Sequence, residues 1–202
     1  MARGRPRTND PDKVLEVVMK TFWENGYEGT SLADLVAASG MAKPGLYANF
    51  GDKESLYIKA LDRYAAKISN PMLERFSQPD QPLSEALSGF LKTIALNAVS
   101  DETAPGCMIA LSISDLSRLP EAVQASALVH NAARTLAFQD RFTRAKHAND
   151  LDLDASIEDL VLFFSAQALA VSALARAGQD PETIQRVIAL SLNALPKGAT
   201  PH

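Results

Sequence analysis

Apolar positions along the chain recur every three to four residues, and no stretch alternates with the two-residue period of a strand. Leu15, Val18 and Phe22 mark the inner face of a first helix. Asp10 caps its start, Pro11 fits its first turn, and Gly26 suits the left-handed position that ends it. Ser31 and Asp34 have capping-box spacing at the start of a second helix, whose apolar face is Leu32, Leu35 and Val36 and which stops at Ser39–Gly40. A third helix begins at Pro44 and ends near Phe50–Gly51, and Asp52 caps a fourth that runs to Ser69. Asn70–Pro71 should stop that helix, and the prolines at 71, 79 and 82 predict an irregular connector over 71–81. Longer helices are expected over 82–99, 107–118, 120–148, 156–177 and 181–194. The fold class is therefore all-α, with short helices first and long helices after. The expected domains are residues 1–53 and residues 54–202.

Composition narrows the class. The chain has 202 residues, 47% of them hydrophobic and 22% charged, which is ordinary globular usage. Cys107 is the one cysteine, so neither an intrachain disulfide nor a multi-cysteine zinc site can form. The longest apolar run, Leu160 to Leu174, is short for a membrane span and is interrupted by Ser165, Gln167 and Ser172. The basic N-terminus lacks the apolar centre of a secretory signal, so a soluble, cytoplasmic protein without a membrane partner is expected. A net charge of −4 hides an uneven distribution. Arg3, Arg5 and Arg7 form an acid-free arm ahead of an acidic body, and a phosphate responds to charge within a Debye length.

The most informative stretch is residues 31–50, SLADLVAASGMAKPGLYANF. Two helices joined by a Gly40-Met41-Ala42 turn fit a helix-turn-helix, in which the second helix enters the DNA major groove. Leu35, Val36 and Leu46 would pack inward, leaving Lys43, Gly45, Tyr47 and Ala48 as the outward surface. Lys43 suits a phosphate or a guanine edge, and Tyr47 can reach a phosphate with its hydroxyl. Gly45 allows close backbone approach, and Lys53 at the next helix start would meet the flanking DNA backbone. Two packed helices with an incidental surface lysine and tyrosine fit the same spacing.

The longer string FWENGYEGTSLADLVAASGMAKPGLYANFGDKESLY resembles the N-terminal domain of the tetracycline-repressor (TetR/AcrR) family of bacterial transcription regulators. The features that carry the resemblance are Gly26-Tyr27, Thr30-Ser31, Leu35, Gly40, Leu46-Tyr47, Phe50 and Asp52-Lys53-Glu54. It implies a three-helix helix-turn-helix domain followed by a larger helical domain for ligand binding and dimerisation. It also implies a homodimeric repressor on palindromic double-stranded operator DNA, released by an unknown small-molecule inducer. DNA contacts carry over to Thr30, Lys43, Gly45, Tyr47 and Lys53. Ala42 departs from the pattern by replacing a capping Ser or Thr, and Val36 replaces a common Ala. Pro44 can compensate for the lost cap by pre-setting the first turn. The arm Arg3-Gly4-Arg5-Pro6-Arg7 resembles an AT-hook that enters a narrow minor groove, or is a basic tail of non-specific charge.

The last two helices are apolar on more than one face, which a dimer interface or a thick monomer core would bury. The resemblance places the homodimer contact there. Phe90, Ile94, Met108, Phe138, Phe142, Phe164 and Gln167 are candidate effector-lining residues, with His130 and Asn131 as possible polar additions. Cys107 sits at an expected helix start, where a thiol is a candidate redox sensor or a buried small hydrophobe, with no Lys, Arg or His within four residues. His130, His147 and His202 lack metal-ligand spacing, and Asp150, Asp152 and Asp154 lack the glycine and glutamate of a calcium loop. No nucleophile motif, phosphate-cradling loop or dinucleotide fingerprint is present, so neither a cofactor nor an enzyme is expected. The competing reading is a helical small-molecule carrier with a vestigial helix-turn-helix.

Overall fold

The computed structural model describes residues 10–96 and 104–196, and it is helical throughout with no strand among them. Helix α1 (Pro11–Asn25) starts where Asp10 accepts the Asp12 N–H at 3.1 Å and stops at Gly26, whose φ of 72° suits glycine. It buries Val14, Val18, Met19, Phe22 and Trp23 along one face. Helices α2 (Leu32–Ser39) and α3 (Lys43–Phe50) form the expected helix-turn-helix. Helix α4 (Lys53–Tyr64) lies against α1, and Glu16 on α1 joins Arg63 and Lys67 across that contact. Edge-to-face aromatic pairs fill the space between them: Phe22–Tyr57 at 4.8 Å and Trp23–Tyr64 at 4.9 Å.

The chain does not leave helix at Asn70–Pro71 as the prolines suggested. A π-helical turn (Ala65–Ser69) carries α4 directly into α5 (Asn70–Phe76). Pro71 falls in the first turn of α5, where its missing N–H costs nothing, so it starts a helix and does not break one. The irregular connector is confined to 77–82. Arg144 donates to the Ser77 carbonyl and Arg141 to the Gln81 carbonyl, which fixes this connector to the long helix behind it.

Helix α6 (Leu83–Leu96) follows, and Asp150 rather than a local side chain accepts the Leu83 N–H at its start. After α7 (Met108–Ser114) and a 3₁₀ turn (Leu116–Arg118) come α8 (Glu121–His147), α9 (Ile157–Arg176) and α10 (Pro181–Leu192). Helix α9 is capped by Ser156, which accepts the Asp159 N–H. The core of this half is an aromatic ladder running Phe76, Phe90, Phe138, Phe142 and Phe164, with ring centroids 5.1–5.8 Å apart. At 20 residues α9 exceeds the apolar run read from the sequence and is long and apolar enough to cross a bilayer by those measures alone. Here Leu160, Phe164, Ala168, Val171 and Ala175 pack against the core, while Leu162 on the other face is 71% exposed.

The Glu16 network gives a pH-dependent contribution. Desolvation pushes the Glu16 carboxyl up, but hydrogen bonds from Lys67 and Arg63 outweigh it and hold it below its ordinary value. A depressed carboxylate stabilises the fold above its unfolded pKa and loses that effect as pH falls through its folded one. Glu16 is partly solvated, so the Glu16→Gln variant should cost no more than about 1 kcal/mol at neutral pH. Denaturant melts at descending pH should show the gap between the two proteins closing in the acid range. A gap that stays constant from neutral to strongly acid pH would remove the charge from the account.

Candidate functional site

The recognition surface is built from its caps outward. Ser31 and Asp34 close a reciprocal capping box on α2, with Asp34 N–H to Ser31 Oγ at 3.2 Å and Ser31 N–H to Asp34 Oδ2 at 2.7 Å. Gly40, at φ 65°, takes the left-handed turn into the next helix. Leu35 and Leu46 are fully buried and Val36 is half-buried, so the two helices are pinned together from the inside.

Helix α3 starts differently. Ala42 occupies its N-cap and offers no side-chain acceptor. The first-turn N–H groups of Lys43 and Gly45 therefore have no capping partner, while Pro44 has none to satisfy. An uncapped helix start is electropositive and receptive to an anion such as phosphate. Lys43 stands exposed beside it, with Nζ 5.5 Å from the Tyr47 ring centroid, and Gly45 and Tyr47 are partly exposed on the same helix. A Cβ built on Gly45 would meet only the Met41 methyl, at 3.5 Å, so nothing inside the protein requires glycine there. Lys53 lies at the start of α4, two residues past the Gly51 that ends α3, with Nζ 4.3 Å above the Tyr27 ring in a cation–π contact.

Thr30 does not join this surface. It is fully buried and its hydroxyl donates to the Gly26 carbonyl at 2.7 Å, closing the turn between α1 and α2. The expected contact is corrected to a positioning role, because a spent, buried hydroxyl has nothing to offer a phosphate. Arg3, Arg5 and Arg7 lie outside the described residues.

The candidate effector residues separate into three groups. Phe90 and Ile94 line a small cavity together with Cys107, Arg134, His130 and Ser69. Met108, Phe138, Phe142 and Phe164 line none of the described cavities and are fully buried, three of them in the aromatic ladder. Gln167 faces α10, where its Oε1 accepts from Ser191. Of the polar additions, His130 lines the cavity, with Nε2 2.9 Å from Asp62 of α4. Asn131 instead accepts from Arg134.

Cys107 is 4% exposed and caps α7, its Sγ taking the Ala110 N–H at 3.5 Å. Sequence neighbours offer it no cation, but folding brings Arg134 onto the same cavity. Burial lowers Arg134 below its ordinary pKa, and the Cys107 thiol opposes that shift. Burial also raises the Tyr64 hydroxyl well above its ordinary range, and Cys107 adds to that rise.

Side-chain hydrogen bonds that no local sequence pattern specifies tie α1 and α4 to α7, α9 and the segment before α7. Arg176, at the last turn of α9, donates to the carbonyls of Trp23 and Glu24 at 2.8 and 2.9 Å, and to Pro105 at 3.3 Å. Trp23 donates in turn to the Gly106 carbonyl at 3.2 Å, and Tyr57 hydrogen-bonds Ser112 at 2.9 Å. Helix-terminal carbonyls seek a cation, but periodicity cannot say which distant arginine supplies it. Arg134 did carry a signal. It falls on the buried stripe Ala127, Arg134, Phe138, Phe142 and Ala145 of α8, where a charge is out of place.

The model for bacterial regulatory proteins of the tetR family matches residues 14–60. The transcriptional repressor ComR of Escherichia coli is 29% identical over 196 residues, covering 97% of this chain and 93% of ComR. The repressor AcnR of Corynebacterium glutamicum is 25% identical, covering 94% of each chain. A cysteine-substituted form of the TetR family regulator CifR, solved with a 26-base-pair double-strand operator DNA, superposes with a TM-score of 0.85 at 30% identity. That alignment covers 96% of this chain and all of CifR. With α2 and α3 inside the matched segment and the likeness to CifR running nearly end to end, this chain belongs to the TetR family of bacterial transcriptional regulators.

Proposed function

We propose that this regulator is a cytoplasmic, ligand-responsive repressor that binds a palindromic operator as a homodimer. The observation that carries the DNA reading is the uncapped, exposed start of α3, with Lys43, Gly45 and Tyr47 on one helix and Lys53 at the start of the next. These residues supply phosphate and base contacts, while Ser31, Asp34 and Thr30 hold the helix pair in place. CifR, whose fold this chain shares, was solved on operator DNA.

The dimer reading rests on α9 and α10. Leu162 and Leu190 stand 71% and 70% exposed, and Ala166, Ala170 and Ala189 lie exposed on the same two helices. Large apolar side chains above a bed of alanines suit close packing with the same helices of a second copy. Two copies would present two α3 helices to half-sites about one DNA turn apart. An effector acts by binding one helix spacing better than the other, since a ligand with equal affinity for both shifts nothing.

A footprint on the DNA flanking the gene, repeated at two salt concentrations with competitor DNA, tests this. The expected result is a protected, two-fold symmetric site that survives competitor. Lys43→Ala should lower the log–log salt slope by about one and weaken binding, as loss of one phosphate contact does. Tyr47→Phe should weaken binding with the melting temperature unchanged. Full affinity in both variants would contradict the docking.

A further inference from the structure

Arg134 is 6% exposed in the middle of α8, and among the described residues no carboxylate pairs with it. Its Nη2 donates to Asn131, while its buried Nε has no hydrogen-bond partner. A guanidinium taken out of water without an anion is costly, and fold packing alone would favour an apolar residue on this stripe. The cavity it lines, with Ser69, Cys107 and Ile94, has a volume of about 10 Å³, enough for one small polar group. Met72 and Phe90 wall this chamber and also wall a much larger cleft of about 590 Å³ between α5 and α6. The inner chamber thus holds the unsatisfied cation, and the outer cleft adds Ile68, Pro71 and Phe76 as apolar surface.

We infer that this pair of cavities receives an amphipathic carboxylate, its anionic head on Arg134 and its apolar tail passing between Met72 and Phe90 into the outer cleft. The inference rests on reading the C-terminal half as the effector-receiving domain. A carboxylate supplies the acceptor that Nε lacks, with the Ser69 hydroxyl as a second donor. Met72 is half-buried and unbranched, so it can move aside for a head larger than the empty chamber. Lys67 and Arg75 also line the outer cleft and His130 the inner chamber, but Glu16, Asp80 and Asp62 already pair with them. Arg134 therefore decides the charge preference.

The site has a direct route to the DNA-binding half. Cys107 lines the inner chamber, and its neighbours Gly106 and Pro105 offer the carbonyls that hold Trp23 and Arg176. An anion seated on Arg134 presses on the segment to which the end of α1 is tied.

Calorimetry on the full-length protein without DNA, using octanoate and octanol as probes, tests the inference independently of operator binding. Octanoate should bind saturably and at least tenfold more tightly than octanol, because the tails match and only the head group differs, anionic in one and neutral in the other. Arg134→Met should lose at least tenfold of the octanoate affinity and little of the octanol affinity, while Arg134→Lys should retain part of it. Trp23, the sole tryptophan, should change its emission as octanoate saturates. Absence of saturable octanoate binding, equal affinity for octanol, or an Arg134→Met variant that binds octanoate like the parent would each overturn the inference. The octanol comparison needs no variant and stands if Arg134→Met does not fold. A protected operator together with no octanoate binding would sink this inference and leave the regulator reading intact.

Discussion

Gly45→Ala is expected to stabilise the protein and weaken operator binding at once. Glycine inside a helix costs roughly 0.5–1 kcal/mol relative to alanine, because its backbone loses more freedom on folding. The added methyl would meet only the Met41 side chain at 3.5 Å, an ordinary contact, so the fold should keep that gain. Outside the protein the same methyl would stand on the other flank of α3 from Lys43 and Tyr47, two residues from each, on the helix that the proposed docking brings close to DNA. Binding should fall at least tenfold, about 1.4 kcal/mol or more. Thermal melting and operator titration on the same preparation check both halves. Operator affinity equal to the parent's would mean that α3 does not dock through Gly45. Most variants that weaken binding also weaken the fold, so opposite signs identify a residue kept for its ligand.

Arg176→Ala is expected to loosen the joint between the two halves. One guanidinium serves three carbonyls, of Trp23, Glu24 and Pro105, which belong to the end of α1 and to the segment leading into α7. Hydrogen bonds from a charged donor contribute more than neutral ones, and two of the three carbonyls left behind, those of Trp23 and Pro105, lie in part-buried contacts. A loss of about 2–4 kcal/mol is expected. At this chain length each kcal/mol moves the melting temperature by about 2–4 °C. Trp23 should report the change locally, since its indole N–H bonds to Gly106 within the same joint. Hydrogen exchange at the end of α1 should speed up more than at α10. An unchanged melt with unchanged exchange at Trp23 and Glu24 would remove Arg176 from the joint between the end of α1 and the segment before α7.

The early helices were readable because their signals are local. Asp10, Ser31 and Asp52 each accept a backbone N–H within their own first turn, and Gly26, Gly40 and Gly51 each end a helix at positive φ. Caps act over three or four residues, so sequence spacing carries them. Pro71 misled for the complementary reason. Proline is tolerated in a first turn and excluded from an interior, and which one applies depends on where the hydrogen bonding restarts. Here a π-helical turn restarts it at Asn70. Thr30 misled because a family resemblance carries a position over without its burial, which was decided by the α1–α2 turn folding over it.

The sequence by itself determined the all-α class and the helix-turn-helix, and of the outward residues it named on α3, Lys43 and Ala48 are exposed while Gly45 and Tyr47 are partly so. Periodicity, caps and turn glycines are properties of neighbours along the chain, and they suffice for each of these. Only the tertiary structure decided which apolar residues are close-packed core and which face open space. Phe90 and Phe138 carry the same chemistry and stack at 5.1 Å, yet only Phe90 lines the cavity. It alone decided that Arg176 reaches α1 across 153 positions, and that Arg134 meets Cys107 from another helix. These contacts join residues with no sequence period in common. They exist because long helices crossing at an angle bring single turns together, and the crossing is set by the packing of the whole core.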